Sequence, residues 1–303
     1  MKKKIVRSPF FYVGDKYKLM PQLKELFPRD ISSYIEPFVG GGSSFLNTMA
    51  KNYILNDVDP YVIKLHEYIS SYAGKTDYFF YKLYSVIEKY GLSCSYKNIT
   101  VPDELKRKYI KTYYSHYNKE AYARMKIDFN LTEDLSLLYL LLIYGFNHMI
   151  RFNNSGFFNL PVGNVDYNKN VYNALCNYLN FMNNHNVKFF NKDYREFLSK
   201  IKFDQKTFIY FDPPYLISGS EYNKYWNEEE ERRLYACIDS LNAQGVHFGI
   251  TNLVNHKGKV NTTFIEWSKK YLCYNINSNY ISFNDNTIKT NSKEVYITNY
   301  GKK

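Results

Sequence analysis

Cysteine is scarce in this chain, and the four present (Cys94, Cys176, Cys237 and Cys273) are scattered with no paired spacing. That argues against a disulfide framework or a cysteine-based zinc site and fits a reducing, intracellular compartment. The six histidines, His66, His116, His148, His185, His247 and His256, fall at no metal-ligand spacing, so no metal is expected. Long apolar runs are absent too. The longest, 135–146, contains Ser136, is too short to span a bilayer and reads as a buried helix ending near Gly145, so no membrane partner is expected. The basic start Met1-Lys2-Lys3-Lys4 is followed by Arg7, Asp15 and Lys16, which leaves no signal-peptide core. There is no internal repeat and no low-complexity tail. What remains is a chain of 303 residues, enough for one large domain or a core domain with an insertion. Its net charge of +11 favours a polyanionic partner, although solvated lysines account for the same excess. The 33 tyrosines and 22 phenylalanines are read mostly as core rather than as a base-stacking track.

The most informative stretch is Phe208-Ile209-Tyr210-Phe211-Asp212-Pro213-Pro214-Tyr215. An apolar, β-branched and aromatic run cut off by proline reads as a buried strand. Proline fixes its own φ and pushes the residue before it into the extended region, so the strand ends in a stiff turn. In open α/β sheets, ligands bind at such carboxyl ends. The turn offers a carboxylate, free carbonyls and a flat ring, a set that suits a planar molecule with an exocyclic amino group, such as adenine. A rigid surface turn after a core strand explains the tetrapeptide alone equally well.

A second stretch, Tyr34-Ile35-Glu36-Pro37-Phe38-Val39-Gly40-Gly41-Gly42-Ser43, leads from a short strand into three glycines, with a helix expected from about Ser43-Ser44. Glycines permit a tight strand-to-helix turn and close approach to a ligand. A dinucleotide fingerprint wants a third glycine where Phe45 stands, and a P-loop wants Lys-Ser/Thr after its last glycine. Phosphate cradling is therefore disfavoured, which leaves a nucleoside cofactor without phosphates. Tyr53-Ile54-Leu55-Asn56-Asp57 is a second strand ending in an acid, about 20 residues after the glycines, where a carboxylate meets ribose hydroxyls. Asp57 also reads as a helix N-cap, a role that Asp59, just before Pro60, fills better.

Strand and helix alternate again from Val187-Lys188-Phe189-Phe190, through 208–211, to 246–250, with a helix over 228–241 and an antiparallel pair from 271–276 and 294–299. Residues 61–185 are largely helical, with one hairpin expected at 150–165. The expected architecture is an α/β sheet interrupted by an inserted helical domain.

The glycine turn, the Asn56-Asp57 acid and Asp212-Pro213-Pro214-Tyr215 resemble those of the Dam-like, S-adenosylmethionine-dependent adenine-N6 DNA methyltransferases, of the group in which the cofactor motif precedes the catalytic one. Two further segments are similar: 9–19, which matches an aromatic-x-Gly-x-Lys cofactor segment, and Arg151-Phe152-Asn153-Asn154-Ser155-Gly156-Phe157-Phe158-Asn159-Leu160-Pro161-Val162-Gly163, which matches a DNA-reading hairpin. The closing segment 293–300 is similar to the family's last strand. Family members commonly carry tryptophan at Tyr12, where an aromatic surface is kept, and Pro-Phe-Gly at 161–163, so no recognition sequence is carried over.

The resemblance implies a Rossmann-like methyltransferase sheet formed by 1–60 and 187–303, and a target-recognition domain at 61–186. It implies S-adenosyl-L-methionine as cofactor and a flipped-out adenine in double-stranded DNA as substrate. Catalysis falls to Asp212, Pro213, Pro214 and Tyr215. Cofactor binding falls to Tyr12, Lys16, Glu36, Pro37, Phe38, Gly40, Gly42, Asp57, Asp193 and Asp212. Asp193 reads equally as an N-cap before Tyr194. DNA binding falls to Arg151, Phe152, Asn153, Asn154, Ser155 and Asn159. The resemblance implies a cytoplasmic protein, bacterial or phage-encoded and nucleoid-associated by its substrate, and leaves open a cognate restriction endonuclease. Oligomeric state is left unassigned. Cytosine-N4 methylases usually show serine at the position of Asp212, and ribosomal RNA or protein-glutamine methylases typically show asparagine, so the acid points to adenine. A catalytically silent DNA-binding protein on the same fold, or another N-methyltransferase, is the alternative.

Overall fold

The computed structural model describes residues 5–219, 226–277 and 292–301; the basic start Met1-Lys2-Lys3-Lys4 lies outside them. The chain divides into two compact units. One consists of Met1–Asp15, Gly40–Leu46 and Asp59–His185, the other of Lys16–Val39, Asn47–Val58 and Asn186–Lys303. Residues 5–15 and 40–46 thus pack with the helical insertion, whereas the sequence grouped them with the sheet.

The second unit holds the strands. They are β1 (Ile31–Glu36), β2 (Ala50–Asn56), β3 (Asn186–Phe190), β4 (Thr207–Phe211), β5 (His247–His256), β6 (Lys259–Val260), β7 (Leu272–Ile276) and β8 (Ser292–Thr298). They form one sheet in the order β3-β2-β1-β4-β5-β8-β7, with β6 paired to β5. The first five strands of that order pair in parallel, and β8 runs antiparallel between β5 and β7. β4, whose sequence is Thr-Phe-Ile-Tyr-Phe, is buried at every residue, as expected of a parallel strand covered on both faces. Because β1 lies between β2 and β4, the winding reverses at β1/β4, and the crevice beyond their carboxyl ends is where open sheets bind ligands.

Among the described residues the α-helices are α1 (Met20–Leu26), α2 (Pro60–Ser70), α3 (Thr76–Tyr90), α4 (Asp103–Tyr109) and α5 (Tyr113–Thr132). They continue with α6 (Leu135–Tyr144), α7 (Lys169–Asn184), α8 (Tyr194–Ser199), α9 (Glu228–Ala243) and α10 (Thr262–Ser268). In the sheet unit, Leu234 and Ile238 of α9 and Phe264 and Trp267 of α10 bury against Phe248 and Ile250 of β5. In the helical unit, α6 is buried from Ser136 to Tyr144, so the longest apolar run is the central helix of that unit. Asp134 caps it by accepting from the Ser136 N–H, and Gly145 ends it. None of the described helices is long and apolar enough to cross a membrane.

Two local expectations are corrected. No α-helix follows the glycines; a single 3-10 turn, Phe45–Asn47, takes its place before β2 begins at Ala50. Every side chain from Ser43 to Thr48 is buried, and so short a segment has no solvent face on which an amphipathic helix depends. The expected hairpin closes on one bridge, Phe152 to Phe158, rather than on a ladder.

Candidate active site

Asp212 follows the last residue of β4, and Glu36 is the last residue of β1, so the two carboxylates cap the adjacent strands at which the sheet reverses. Three groups approach Asp212, all at Oδ1. The Lys16 ammonium lies 2.7 Å away, the Thr251 hydroxyl donates at 3.1 Å, and the Tyr215 hydroxyl lies at 3.3 Å. Among the described residues, Oδ2 accepts no hydrogen bond. Lys16 is 8 % exposed, and its ammonium stands 4.9 Å from the centre of the Tyr215 ring. Thr251 has a single proton, which goes to the carboxylate, so the Tyr210 hydroxyl, 2.9 Å away, donates to Thr251 Oγ1. The order is Tyr210 to Thr251 to Asp212.

Burial drives the Tyr210 phenol well above its ordinary pKa, and the charges of Asp212, Glu36 and Glu294 add to that rise. Three carboxylates therefore act on one phenol near the end of β4, and a buried ammonium, Lys16, is paired to one of them, Asp212. Such a field favours a cationic ligand. Glu36 is 2 % exposed, and the Tyr34 hydroxyl donates to it at 3.2 Å.

The neighbouring strand ends are laced together by Asn56. Its side-chain amide donates to the Pro37 carbonyl at 3.0 Å and to the Lys192 carbonyl at 2.9 Å, and its oxygen accepts from the Lys192 N–H at 3.0 Å. The Val39 N–H returns to the Asn56 carbonyl at 2.8 Å. Asp57 stands immediately beyond this clasp, and its carbonyl accepts from the Asn191 amide at 2.9 Å. Asp59, not Asp57, caps α2, accepting from the Tyr61 N–H at 2.8 Å and the Val62 N–H at 3.4 Å. Phe38 is half-buried, its ring 5.3 Å from that of Tyr194 and 5.8 Å from that of Trp226.

Asp193 is an N-cap. It accepts from the Arg195 N–H at 2.9 Å and pairs with the same residue's guanidinium at 2.9 Å, which holds its carboxyl below the usual range. The N-cap role that the sequence allowed for Asp193 is thus observed.

In the helical unit, the glycine turn is shaped by its neighbours. A Cβ on Gly41 would lie 2.9 Å from the Tyr12 Cβ, and one on Gly42, at φ +81°, would lie 2.2 Å from the Phe45 ring. The Ser8 hydroxyl donates to the Gly41 carbonyl. His66, a fully buried residue of α2, contacts the Gly40 carbonyl through Nε2 at 2.8 Å and the Tyr178 hydroxyl through Nδ1 at 2.8 Å. A carbonyl only accepts, so Nε2 carries the proton and Nδ1 accepts from Tyr178. Burial lowers the His66 pKa to about 4.

Around residues 151–159 the turn is held by its own atoms and by Asn130 of α5, which accepts from the Phe158 N–H at 2.8 Å and donates to the Phe158 carbonyl at 3.2 Å. Asn153 Oδ1 accepts from the Ser155 N–H at 3.0 Å and the Phe157 N–H at 2.9 Å. The Arg151 guanidinium donates to the Asn159 side-chain oxygen and to the Asn159 carbonyl, each at 3.0 Å. Phe152 stacks on Tyr61 of α2, with ring centres 4.1 Å apart and planes within 20°. Residues 153–157 are exposed.

Thr251, Glu294, Asn56 and His66 are the residues that sequence reasoning missed in these arrangements. Thr251 and Glu294 lie 39 and 79 residues from their partners Asp212 and Tyr215, so no local pattern marks them.

A parallel sheet with an antiparallel β8 between β5 and β7, and an acid-proline-proline-aromatic turn beyond β4, defines the Rossmann-like methyltransferases as the class. The family model of the D12 class N6 adenine-specific DNA methyltransferases matches residues 12–280, and the chain belongs to that family. It is 31% identical over 303 residues to "Type II methyltransferase M.FokI" of Planomicrobium okeanokoites, covering 97% of this chain and 43% of that protein. It is 31% identical over 311 residues to "Modification methylase StsI" of Streptococcus sanguinis, covering 98% and 43%. To the "DNA adenine methylase" of Escherichia coli (strain K12) it is 28% identical over 208 residues, covering 67% and 63%. The chain thus spans less than half the length of the first two relatives.

Proposed function

We propose that this chain transfers a methyl group from S-adenosyl-L-methionine to N6 of an adenine flipped out of double-stranded DNA at a specific site. One observation carries the reading: a carboxylate at the sheet's reversal point, with Oδ1 held by Lys16 and Thr251 and Oδ2 left to accept. Adenine N6 is a poor nucleophile because its lone pair is delocalised into the ring. Asp212 Oδ2 and the Pro213 carbonyl accept the two N6–H bonds, which favours a tetrahedral nitrogen with a directed lone pair. Acceptors fixed in advance also stabilise the positive charge that develops on N6. Pro213 and Pro214 keep that geometry rigid, and Tyr215 stacks on the base. N6 is inaccessible inside a duplex, so the nucleotide is flipped out, at a cost of a few kcal/mol.

The cofactor supplies an electrophilic sulfonium methyl, and the residues present fit a cationic nucleoside. In this reading Glu36 and Asp212 provide negative charge, Asp57 accepts from the ribose hydroxyls, and Pro37 and Phe38 offer apolar surface. Family likeness gives Tyr12, Lys16, Gly40 and Gly42 cofactor roles as well, Lys16 through its hold on Asp212. Asp193 contributes mainly as the cap of α8. The exposed turn with Arg151, Phe152, Asn153, Asn154, Ser155 and Asn159 reads the DNA. The relatives' names support a role as the modification half of a restriction-modification system.

The test is incubation of the purified chain with methyl-labelled cofactor and duplex DNA of mixed sequence, followed by base analysis. Label in N6-methyladenine is the expected result. Label in N4-methylcytosine or in RNA alone, or no label, would reject the reading.

A further inference from the structure

We propose that Glu294 is a positioning residue for the base platform: its buried carboxylate accepts a hydrogen bond from the Tyr215 hydroxyl, fixes the ring, and makes its face more attractive to a base that is gaining positive charge. The proposal rests on the adenine-methylation reading. Glu294 sits in β8, opposite Leu253 of β5 and Ile276 of β7, and is 0 % exposed. A carboxyl group inside a sheet is costly unless hydrogen-bonded, so its partner is part of the design of the site. That partner is the Tyr215 hydroxyl, 2.6 Å from Glu294 Oε1.

Asp212 Oδ1 competes for the same hydroxyl from 3.3 Å. A phenol has one proton, and the shorter contact takes it. Tyr215 is thereby committed to Glu294, while Asp212 is held by Lys16 and Thr251. Two supports result, one for the acid that engages the nucleophile and one for the ring beneath the base.

The ring is restrained along its length. Ile217 and Leu253 bury against it, and Glu294 fixes its far end. Donation of the hydroxyl proton to a carboxylate increases the electron density of the ring, and a denser face attracts cations more strongly. The Lys16 ammonium, already 4.9 Å from that ring's centre, shows its affinity for positive charge. An N6 becoming cationic in the transition state is the second beneficiary.

The experiment uses Glu294→Leu, Glu294→Gln, Tyr215→Phe and the Glu294→Gln/Tyr215→Phe double variant, on DNA carrying 2-aminopurine at the target adenine. Kinetics are read on unmodified DNA, and 2-aminopurine fluorescence reports stacking of the flipped base. Glu294→Leu is expected to lower kcat roughly ten- to a hundredfold with KM for DNA within about threefold, and to brighten the flipped base as stacking is lost. Glu294→Gln keeps an acceptor oxygen and should restore the stacking signal and part of kcat. In the Tyr215→Phe background the same Gln substitution should change kcat less than about twofold, because the shared bond is already gone. Wild-type kcat and fluorescence in both Glu294 variants would overturn the proposal, as would a Gln effect undiminished by Tyr215→Phe. If Glu294→Leu does not fold, the Gln and Phe cycle decides alone. A wild-type chain that transfers no methyl group to adenine would overturn the functional reading and this proposal with it; active wild type with indifferent Glu294 variants overturns this proposal only.

Discussion

The turn after β4 and the turn at residues 153–156 are both short and polar, yet opposite means hold them. Asp212 and Tyr215 are fixed by side chains distant in sequence, namely Lys16, Thr251 and Glu294, three of them at or below 9 % exposure together with Tyr215 itself. The 153–156 turn is held by Asn153 and Arg151 within the segment and by Asn130 of α5 just beyond it, and stands exposed beside Phe152, which stacks on Tyr61. A catalytic group needs positioning that survives the reaction, which long-range, buried partners provide. In the proposed DNA-reading role, the exposed residues 153–157 can change without disturbing a core.

The largest effect expected of this contrast lies at Asp212. Asp212→Ala should lower methyl transfer by at least about a thousandfold, since removing one preorganised group in an oxyanion hole already costs roughly 10²–10³. The circular dichroism spectrum and DNA binding should persist. Turnover near that of the wild type, with labelled cofactor and unmodified DNA, would end the assignment of Asp212 to catalysis.

Much of this contrast was legible in sequence, because its informative parts are local. The run 208–211 announced a buried strand and proline announced its end, so the place of Asp212 followed from neighbours in the chain. The Arg151 to Gly163 segment announced a turn for the same reason. The supports were not legible. Thr251 and Glu294 meet the turn only through the order of the strands and the packing around them, Lys16 was marked by its segment but not as a partner of Asp212, and a buried carboxylate in the Lys-Glu-Val-Tyr stretch of β8 reads as an ordinary polar position. The helix expected after the glycines failed because burial of residues 43–48 outweighed local pattern. His66 carried no metal spacing and no chemistry in sequence, yet it orders the glycine turn from within α2.

His66 extends the contrast to a third turn, also held from a buried side chain. Its folded pKa of about 4 lies below the ordinary 6.5, so the unfolded chain binds the extra proton between those values. Stability from this group is complete above pH 6.5 and declines as pH falls toward 4, by roughly 3 kcal/mol in total. Chemical denaturation of wild type and His66→Gln across pH 7 to 4 measures it. The wild-type curve should be steeper by about that amount; parallel curves would show that His66 is not buried as a neutral ring.

A smaller effect is expected at Asp57, which is near the strand-end clasp but does not cap α2. Asp57→Ala should weaken S-adenosylmethionine about tenfold or more, since hydrogen bonds to charged groups contribute roughly 1.5–3 kcal/mol, while DNA affinity changes little. Calorimetry decides the matter. Unchanged cofactor affinity would leave Asp57 without a ribose role and confine the polar support of the cofactor to Glu36 and Asp212.

The smallest effect, and the one that sharpens the contrast most, concerns Arg151. Its guanidinium is engaged with Asn159, so it braces the turn as built, and a planar fork with five donors can hold that brace and still present an edge to DNA. If Arg151 reads a guanine edge, Arg151→Ala relaxes discrimination at one base pair by roughly 1–3 kcal/mol. If it meets phosphate, the loss is uniform across sequences and the salt dependence becomes shallower. If it only braces the turn, Asn159→Ala reproduces the Arg151→Ala defect, and the double variant adds nothing further. We expect the position-specific loss, with Asn159→Ala giving a weaker version of it. Methylation rates on a panel of singly substituted sites, measured for both single variants at two salt concentrations, separate the three outcomes. An equal loss on every site would remove Arg151 from sequence reading and leave the turn's exposed residues, Asn153 to Ser155, to carry it.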